Sequence, residues 1–211
     1  MTQLATAPVP DIRTPSKLGA IAFVAAGVMF LLYPAVRPVG DSAEAVASDA
    51  WVASHLFAMI GFILVPLGLF ALLDTLGSTR LARYALVSTW VGAGLVLPYY
   101  GAEDFALHVV AERALADGDL SLMELAEAFR LHPAAATTFV LGLLLLAIGS
   151  VLAAMAIGRS GRLPAWSGVP LAAGFVLFFP QFYTPAEVRT AHGALMAVGA
   201  VWIGVSAWRS R

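Results

Sequence analysis

The stretch AATTFVLGLLLLAIGSVLAAMAI, residues 135–157, carries no Asp, Glu, Lys or Arg. As a helix it is long enough to cross the hydrocarbon core of a bilayer, which is about 30 Å thick. Five further stretches share this length and this lack of charge: 18–36, 51–73, 84–102, 164–183 and 190–208. The mean hydropathy of +0.86, with 60% apolar and 12% charged residues, lies outside the range of soluble domains. The sequence therefore predicts an all-α polytopic membrane protein whose bundle of six transmembrane helices occupies residues 18–208.

The basic residues predict how this bundle is oriented. Eight of the twelve Lys and Arg fall in four segments on one side of the predicted membrane: Arg13, Lys17, Arg80, Arg83, Arg159, Arg162, Arg209 and Arg211. Eleven of the thirteen acids fall on the other side. By the positive-inside rule the tail 1–17 and the end 209–211 are cytoplasmic, and the acid-rich face is extracytoplasmic. We expect a multi-pass protein of the cell membrane.

The longest predicted extracytoplasmic segment, residues 103–133, is helical in pattern. The third helix has no strong breaker before Asp117-Gly118-Asp119, so it is expected to project beyond the membrane. Ser121 and Glu124 then have the spacing of a capping box. An apolar stripe follows, made of Leu122, Leu125 and Phe129. These features predict a short amphipathic helix on the extracytoplasmic face, ending before Pro133.

All four histidines lie at this acid-rich face, and they give three competing interpretations of a site. The first is a divalent metal site built from Asp104 (or Glu103 in its place), His108, Glu112 and His132, because carboxylate and imidazole at i, i+4 suit zinc and similar ions. The bland alternative is that these side chains are simply hydrated at the membrane boundary.

The second interpretation is a haem held by His55 and His192, which lie at matching depth on different helices. The third is a proton-transfer pocket in which the catalytic residues Glu103, Asp104 and His108 act on a lipophilic substrate, because burial tunes such groups for acid–base chemistry. Ionisable groups at the apolar boundary usually face a cavity or a partner.

The inner halves of the predicted spans contain no Asp, Glu, Lys, Arg or His, which disfavours ion-coupled transport. No basic run indicates nucleic acid, and the absence of cysteine excludes thiolate chemistry. The leading hypothesis is a pocket at the extracytoplasmic ends of helices 2, 3 and 6 that binds a metal, a haem or a lipophilic ligand, with membrane lipids around it. The alternative is a non-catalytic protein that binds a membrane-protein partner through its acidic face.

Three short strings carry a resemblance to known proteins. They are Tyr99-Tyr100-Gly101 with Glu103 and His108, then Phe178-Phe179-Pro180-Gln181-Phe182, and Arg189-Thr190-Ala191-His192-Gly193. With them the chain resembles small bacterial six-helix integral membrane proteins that have no assigned activity. The resemblance implies a bacterial plasma-membrane protein and assigns no role to any residue.

Overall fold

The computed structural model describes residues 14–210, with side chains from Lys17 onward. This part of the chain forms nine α-helices and no β-strand. Their bounds are Thr14–Val36 (α1), Ala43–Val46 (α2), Asp49–Leu72 (α3), Arg80–Gly101 (α4), Leu107–Asp117 (α5), Glu124–Arg130 (α6), Pro133–Ser160 (α7), Val169–Val176 (α8) and Ala186–Arg209 (α9). Arg13, Arg211 and most of the predicted tail 1–17 lie outside the described residues.

Five continuous helical stretches are long and apolar enough to cross a membrane: Lys17–Val36, Asp49–Leu72, Arg80–Asp117, Pro133–Ser160 and Ala186–Arg209. They coincide with five of the six predicted spans. The all-α architecture is therefore confirmed, together with a helical content suited to a membrane protein.

The structure differs from the prediction over 164–183, which is not one continuous helix. Its only α-helix is the eight-residue α8, and a single 3₁₀ turn follows at Pro180–Tyr183. Pro180 has no N–H and its ring would clash with the preceding turn of an α-helix, so the helix ends before it. The segment nevertheless packs closely on its neighbours, because α8 contacts both α7 and α9.

The long helices pack as two groups, which contact each other directly through α3 and α4 and are also connected by α8. In one group α1 lies between α3 and α9, and in the other α4 packs along α7. Lys17 stands over the ring of Trp208 at 5.6 Å, so α1 begins where α9 ends. We call this the basic end of the bundle; it also holds the connections 73–79 and 161–168. The opposite end, formed by 37–49, 102–132 and 177–187, is called the acidic end.

Small residues allow the helices to approach one another closely. A Cβ on Gly149 of α7 would lie 2.8 Å from the backbone nitrogen of Thr89 on α4. A Cβ on Gly193 of α9 would lie 2.7 Å from the carbonyl oxygen of Phe30 on α1. Both distances are shorter than a side chain tolerates, so glycine is needed at these two crossings.

The third predicted helix does project beyond its span, as expected. After α4 the chain makes a π-helical turn at Ala102–Ala106 and continues as α5 to Asp117, where Gly118 takes a left-handed φ of 68°. Such a π turn inserts one residue into the helical register. It therefore changes which side chains beyond it share a face with those before it.

The short helix on the acidic end is present as α6, but its details differ from the prediction. A 3₁₀ turn at Leu120–Met123 comes before α6. It is capped by the carboxylate of Asp119 rather than by Ser121, and this carboxylate accepts a hydrogen bond from the backbone N–H of Ser121 at 3.1 Å. Leu125 is 53% exposed, so the predicted apolar stripe is not fully buried. A small cluster of Val46, Trp51, Leu107, Ala111 and Ala126 holds α2, α5 and α6 over the start of α3.

Candidate functional site

A cavity of about 570 Å³ opens at the acidic end of the bundle, which we call the main cavity. Its polar side includes Arg37, Asp41, His55, Tyr99, Tyr100, Glu103, Arg130 and Arg189. Its apolar side includes Leu131, Ala136, Phe139, Val140, Phe179 and Phe182. The cavity thus joins residues from α1, α3, α4, α7 and α9 with the 3₁₀ turn before α9.

A chain of ion pairs crosses the polar side. Arg130 donates from Nε to Oε1 of Glu103 at 2.6 Å and from Nη2 to Oε2 at 2.7 Å, a bidentate pair. Its third nitrogen donates to Oδ2 of Asp41 at 2.8 Å, and Arg37 donates to Oδ1 of the same carboxylate at 2.7 Å. Planar guanidinium and carboxylate groups match in such pairs, which fixes both partners in position. The arrangement ties α1 and the segment after it to α6 and the π turn.

The ion pairs also determine the protonation of their members. Burial alone would raise the pKa of the Asp41 carboxyl, but Arg37 and Arg130 together lower that pKa below its ordinary value. Burial opposes the charge on Arg130, yet the hydrogen bonds and charge of Glu103 raise the pKa of the guanidinium further. Asp41 and Arg130 are therefore both ionised at neutral pH.

His55 lies within an aromatic cage beside these ion pairs. Its Nδ1 donates to the carbonyl oxygen of Trp51 at 2.8 Å, which leaves Nε2 as the acceptor of the neutral ring. The rings of Tyr33 and Tyr100 pack on it at centroid distances of 5.9 and 5.7 Å. The indole N–H of Trp51 donates to the carbonyl of Glu103 at 2.9 Å, so His55 and Glu103 are held on a common frame.

His192 does not share this cavity, and this speaks against the haem hypothesis. Its Nε2 donates to the carbonyl of Gly174 at 2.7 Å and its ring packs edge-on against Phe178. The space beside it is too small to hold a water molecule, with a volume of about 0 Å³. The two histidines therefore do not line a common cavity in the described part of the chain, and haem binding stays a prediction.

The four residues of the predicted metal site are not brought together. Within residues 14–210, no group of three or more His, Asp or Glu side chains is arranged to hold a metal ion. His108 donates from Nδ1 to the carbonyl of Val46 at 2.9 Å, and its Nε2 lies 3.5 Å from Oε1 of Glu112. Asp104 is fully buried within the π turn, while His132 is exposed just before α7. His108 and Glu112 keep their i, i+4 contact on α5, but in the described part of the chain no third ligand joins them.

The predicted catalytic trio is also divided. Glu103 faces the main cavity, whereas neither Asp104 nor His108 lines it. Both carboxylate oxygens of Asp104 lack a hydrogen-bond partner among the described residues. Glu103 is held by Arg130 on both oxygens, which fixes its carboxylate in an ion pair. The geometry does not assemble these three groups into one acid–base unit.

A second cavity of about 400 Å³ adjoins the first, and we call it the side cavity. The two have Tyr33, Arg37, Gly40 and Arg189 in common. The side cavity adds residues of the 3₁₀ turn and of the start of α9, namely Gln181, Pro185, Ala186 and Glu187. Arg189 is oriented by a hydrogen bond from its Nε to the carbonyl of Thr184 at 3.1 Å.

Sequence reasoning found His55 and Glu103 but missed the arginines that line the cavity. Arg37, Arg130 and Arg189 entered that reasoning only as a minority of basic residues on the acid-rich face. Their position was the available signal, because Arg37 directly follows the first predicted span and Arg189 directly precedes the last. An arginine at the acid-rich end of a predicted span is therefore a candidate for a polar site at that end.

Comparison with known proteins adds no further assignment. No protein-family model matches the chain, and no curated protein or solved structure is significantly similar to it.

Proposed function

We propose that this protein is a multi-pass protein of the cell membrane with six crossings, five by long helices and one by the broken segment 164–183. Contacts of α8 with α7 and α9 support the sixth crossing, because the segment joins the basic end of α7 to the acidic end of α9. Arg80, Arg159 and Arg209 share the basic end. The positive-inside rule then makes the basic end and both termini cytoplasmic and the acidic end extracytoplasmic.

The function that the site supports best is binding of a lipophilic ligand with a polar end in the main cavity. The observation that carries this proposal is the mixed lining, which combines arginines, tyrosines and His55 with phenylalanine and aliphatic side chains. Ligand cavities typically have volumes of about 300–1,000 Å³ and combine apolar walls with few polar groups. The volume of about 570 Å³ falls within that range.

Access from the lipid supports the same function. Val140 on α7 and Phe179 both line the cavity and are 36% and 41% exposed. Large apolar side chains exposed at the mouth of a cavity suit a ligand that arrives through the membrane. Binding rather than catalysis is proposed, because Glu103 is immobilised by Arg130.

Blocking the cavity tests this proposal. Val140→Trp fills the apolar side, whereas Leu144→Trp adds the same group one turn further along α7 at a lipid-facing position that does not line the cavity. Native mass spectrometry of the detergent-purified protein measures retained long-chain lipophiles. We expect wild type and Leu144→Trp to carry them and Val140→Trp to lose them. Equal retention in all three proteins, or none in any, contradicts the proposal.

The acidic face also carries exposed acids such as Glu112, Glu124 and Glu127. Docking of a partner protein on that face remains a prediction.

A further inference from the structure

We propose that the polar end of the ligand is an oxyanion, a carboxylate or phosphate group on a lipid-derived molecule, bound in the side cavity by Gln181, Arg189 and Arg37. The proposal deepens the proposed function and rests on it, since it assigns the chemistry of the part of the ligand that the main cavity leaves open. The unoccupied hydrogen-bond donors of this cavity carry the argument.

Gln181 is the most informative of these donors. It is only 5% exposed, it lines the side cavity, and its Nε2 has no partner among the described residues. Its backbone is fixed, because its N–H donates to the carbonyl of Leu177 at 3.0 Å and its own carbonyl accepts from Oγ1 of Thr184 at 2.7 Å. A buried amide without a partner costs free energy, so an acceptor from outside the chain is expected there.

Two arginines supply further donors at the same place. Nε of Arg37 is buried without a partner in the described part of the chain, although the same guanidinium pairs with Asp41 and stands 4.7 Å over the ring of Trp51. Arg189 uses only Nε, on the carbonyl of Thr184. No carboxylate of residues 17–210 lies within ion-pair distance of Arg189, in contrast to Arg37 and Arg130.

The start of α9 adds positive potential to the side cavity. Ala186 and Glu187, its first residues, line the cavity, and no side chain caps the helix at Pro185. The first N–H groups of a helix have no acceptor within it, and its dipole favours an anion there. Glu187 opposes this effect with its own charge, but its side chain is exposed at the rim.

The charged side chains that line the main cavity also favour an anion. Three arginines and two carboxylates line the main cavity, which leaves one positive charge when His55 is neutral, and that excess belongs to Arg189. Arg189 and Arg37 line both cavities, so a head group between them places an attached chain in the apolar part of the main cavity. A free anion would leave that apolar part unused.

Binding of matched probes tests the proposal. Purified protein in neutral detergent is titrated with palmitate, with the alcohol of the same chain length, with the corresponding alkyl phosphate, and with acetate and inorganic phosphate. We expect the two long-chain anions to bind at least about tenfold more tightly than the alcohol, since a charge-assisted hydrogen bond is worth that much. The short anions should bind weakly.

Variants connect this selectivity to the named donors. Arg189→Gln and Gln181→Met should each reduce the preference for the anions about tenfold or more and leave the alcohol unaffected. Arg189→Lys should retain much of the preference because it keeps the charge. Glu187→Gln should strengthen anion binding, and Arg113→Gln, which alters an exposed arginine away from both cavities, serves as the unchanged control.

The outcomes separate this inference from the proposed function. Equal binding of anions and alcohol, with no effect of Arg189→Gln, overturns the oxyanion while the cavity remains a lipophile site. Acetate or phosphate competing as well as palmitate overturns the lipid-derived source. If the wild-type protein binds none of the long-chain probes, the proposed function itself is contradicted. The same holds if Val140→Trp binds them as tightly as the wild type.

Discussion

The pairing of Glu103 with Arg130 should stabilise the fold far more than an exposed pair of the same chemistry and length. Glu103 is 6% exposed and receives two guanidinium hydrogen bonds. Removing one partner of a buried ion pair costs about 3–5 kcal/mol, because the other charge stays buried without compensation. The side chain of Arg130 is 26% exposed and keeps Asp41 as a partner, so we reduce the expected cost of Glu103→Gln to about 2–3 kcal/mol.

The chain offers a matched control for this pair. Arg113 and Asp117 are also joined at 2.6 Å through Nε, but their side chains are 70% and 41% exposed. An exposed i, i+4 pair contributes only about 0.3–0.5 kcal/mol. Double-mutant cycles of both pairs, with each carboxylate and each arginine changed to its neutral counterpart, isolate the two coupling energies.

Unfolding in mixed micelles, followed by tryptophan fluorescence, provides the free energies. The indole of Trp51 is hydrogen-bonded to the carbonyl of Glu103, so its fluorescence reports on the region around that ion pair. We expect a coupling energy of about 2 kcal/mol for Glu103–Arg130 and less than about 0.5 kcal/mol for Arg113–Asp117. Equal coupling energies for the two pairs would refute the reasoning, because burial would then have no influence.

Three further predictions concern single positions, each measured as a shift of the thermal midpoint. The pKa of Asp41 is lowered below its ordinary 3.8, so the ionised carboxylate should stabilise the fold fully well above pH 3.8 and lose this effect as the pH falls below that value. Asp41→Asn should lose this acid dependence of the thermal midpoint. An unchanged dependence in the variant contradicts the assignment. Gly193→Ala should destabilise by about 1–3 kcal/mol, whereas Gly94→Ala, where nothing lies within 4 Å, should not; equal shifts argue against the close crossing. Asp104→Asn should leave the thermal midpoint unchanged or raise it, because a fully buried carboxylate without hydrogen-bond partners does not stabilise the fold. A drop of the midpoint as large as that of Glu103→Gln contradicts this prediction.

The fold was accessible from the sequence because hydropathy and length are local properties. The stretches 18–36, 51–73, 84–102, 135–157 and 190–208 each coincide with a long helix. The stretch 164–183 is equally free of charge but does not form one continuous helix, because Pro180 cannot continue the helical register of α8. Window averages over composition do not contain that information.

The site was accessible only in part, because its pairing is long-range. His55 and Glu103 were found from their depth at the apolar boundary. The partners of Glu103 and Asp41 were not, since Arg130 follows them by 27 and 89 residues. The metal hypothesis used local helical spacing, which does bring His108 and Glu112 together, but such spacing does not determine whether a third ligand joins them, and among the described residues none does.

The break in the segment 164–183 and the candidate anion site have a common physical cause. Pro180 ends the helical register and starts a 3₁₀ turn, and Pro185 precedes the first turn of α9. In a 3₁₀ turn, residues three apart eclipse one another, so Phe179 and Phe182 lie on the same side and both line the main cavity, while Gln181 lines the side cavity. In an α-helix Phe179 and Phe182 would instead be rotated by about 60° from each other, and a helix that ran on into α9 would bond the N–H groups that are free at its start. Replacing Pro180 by Ala should therefore weaken the preference for long-chain anions even though no side chain that touches the ligand is changed. An unaltered preference in Pro180→Ala would mean that Gln181 and Arg189 are positioned by packing on α9 alone.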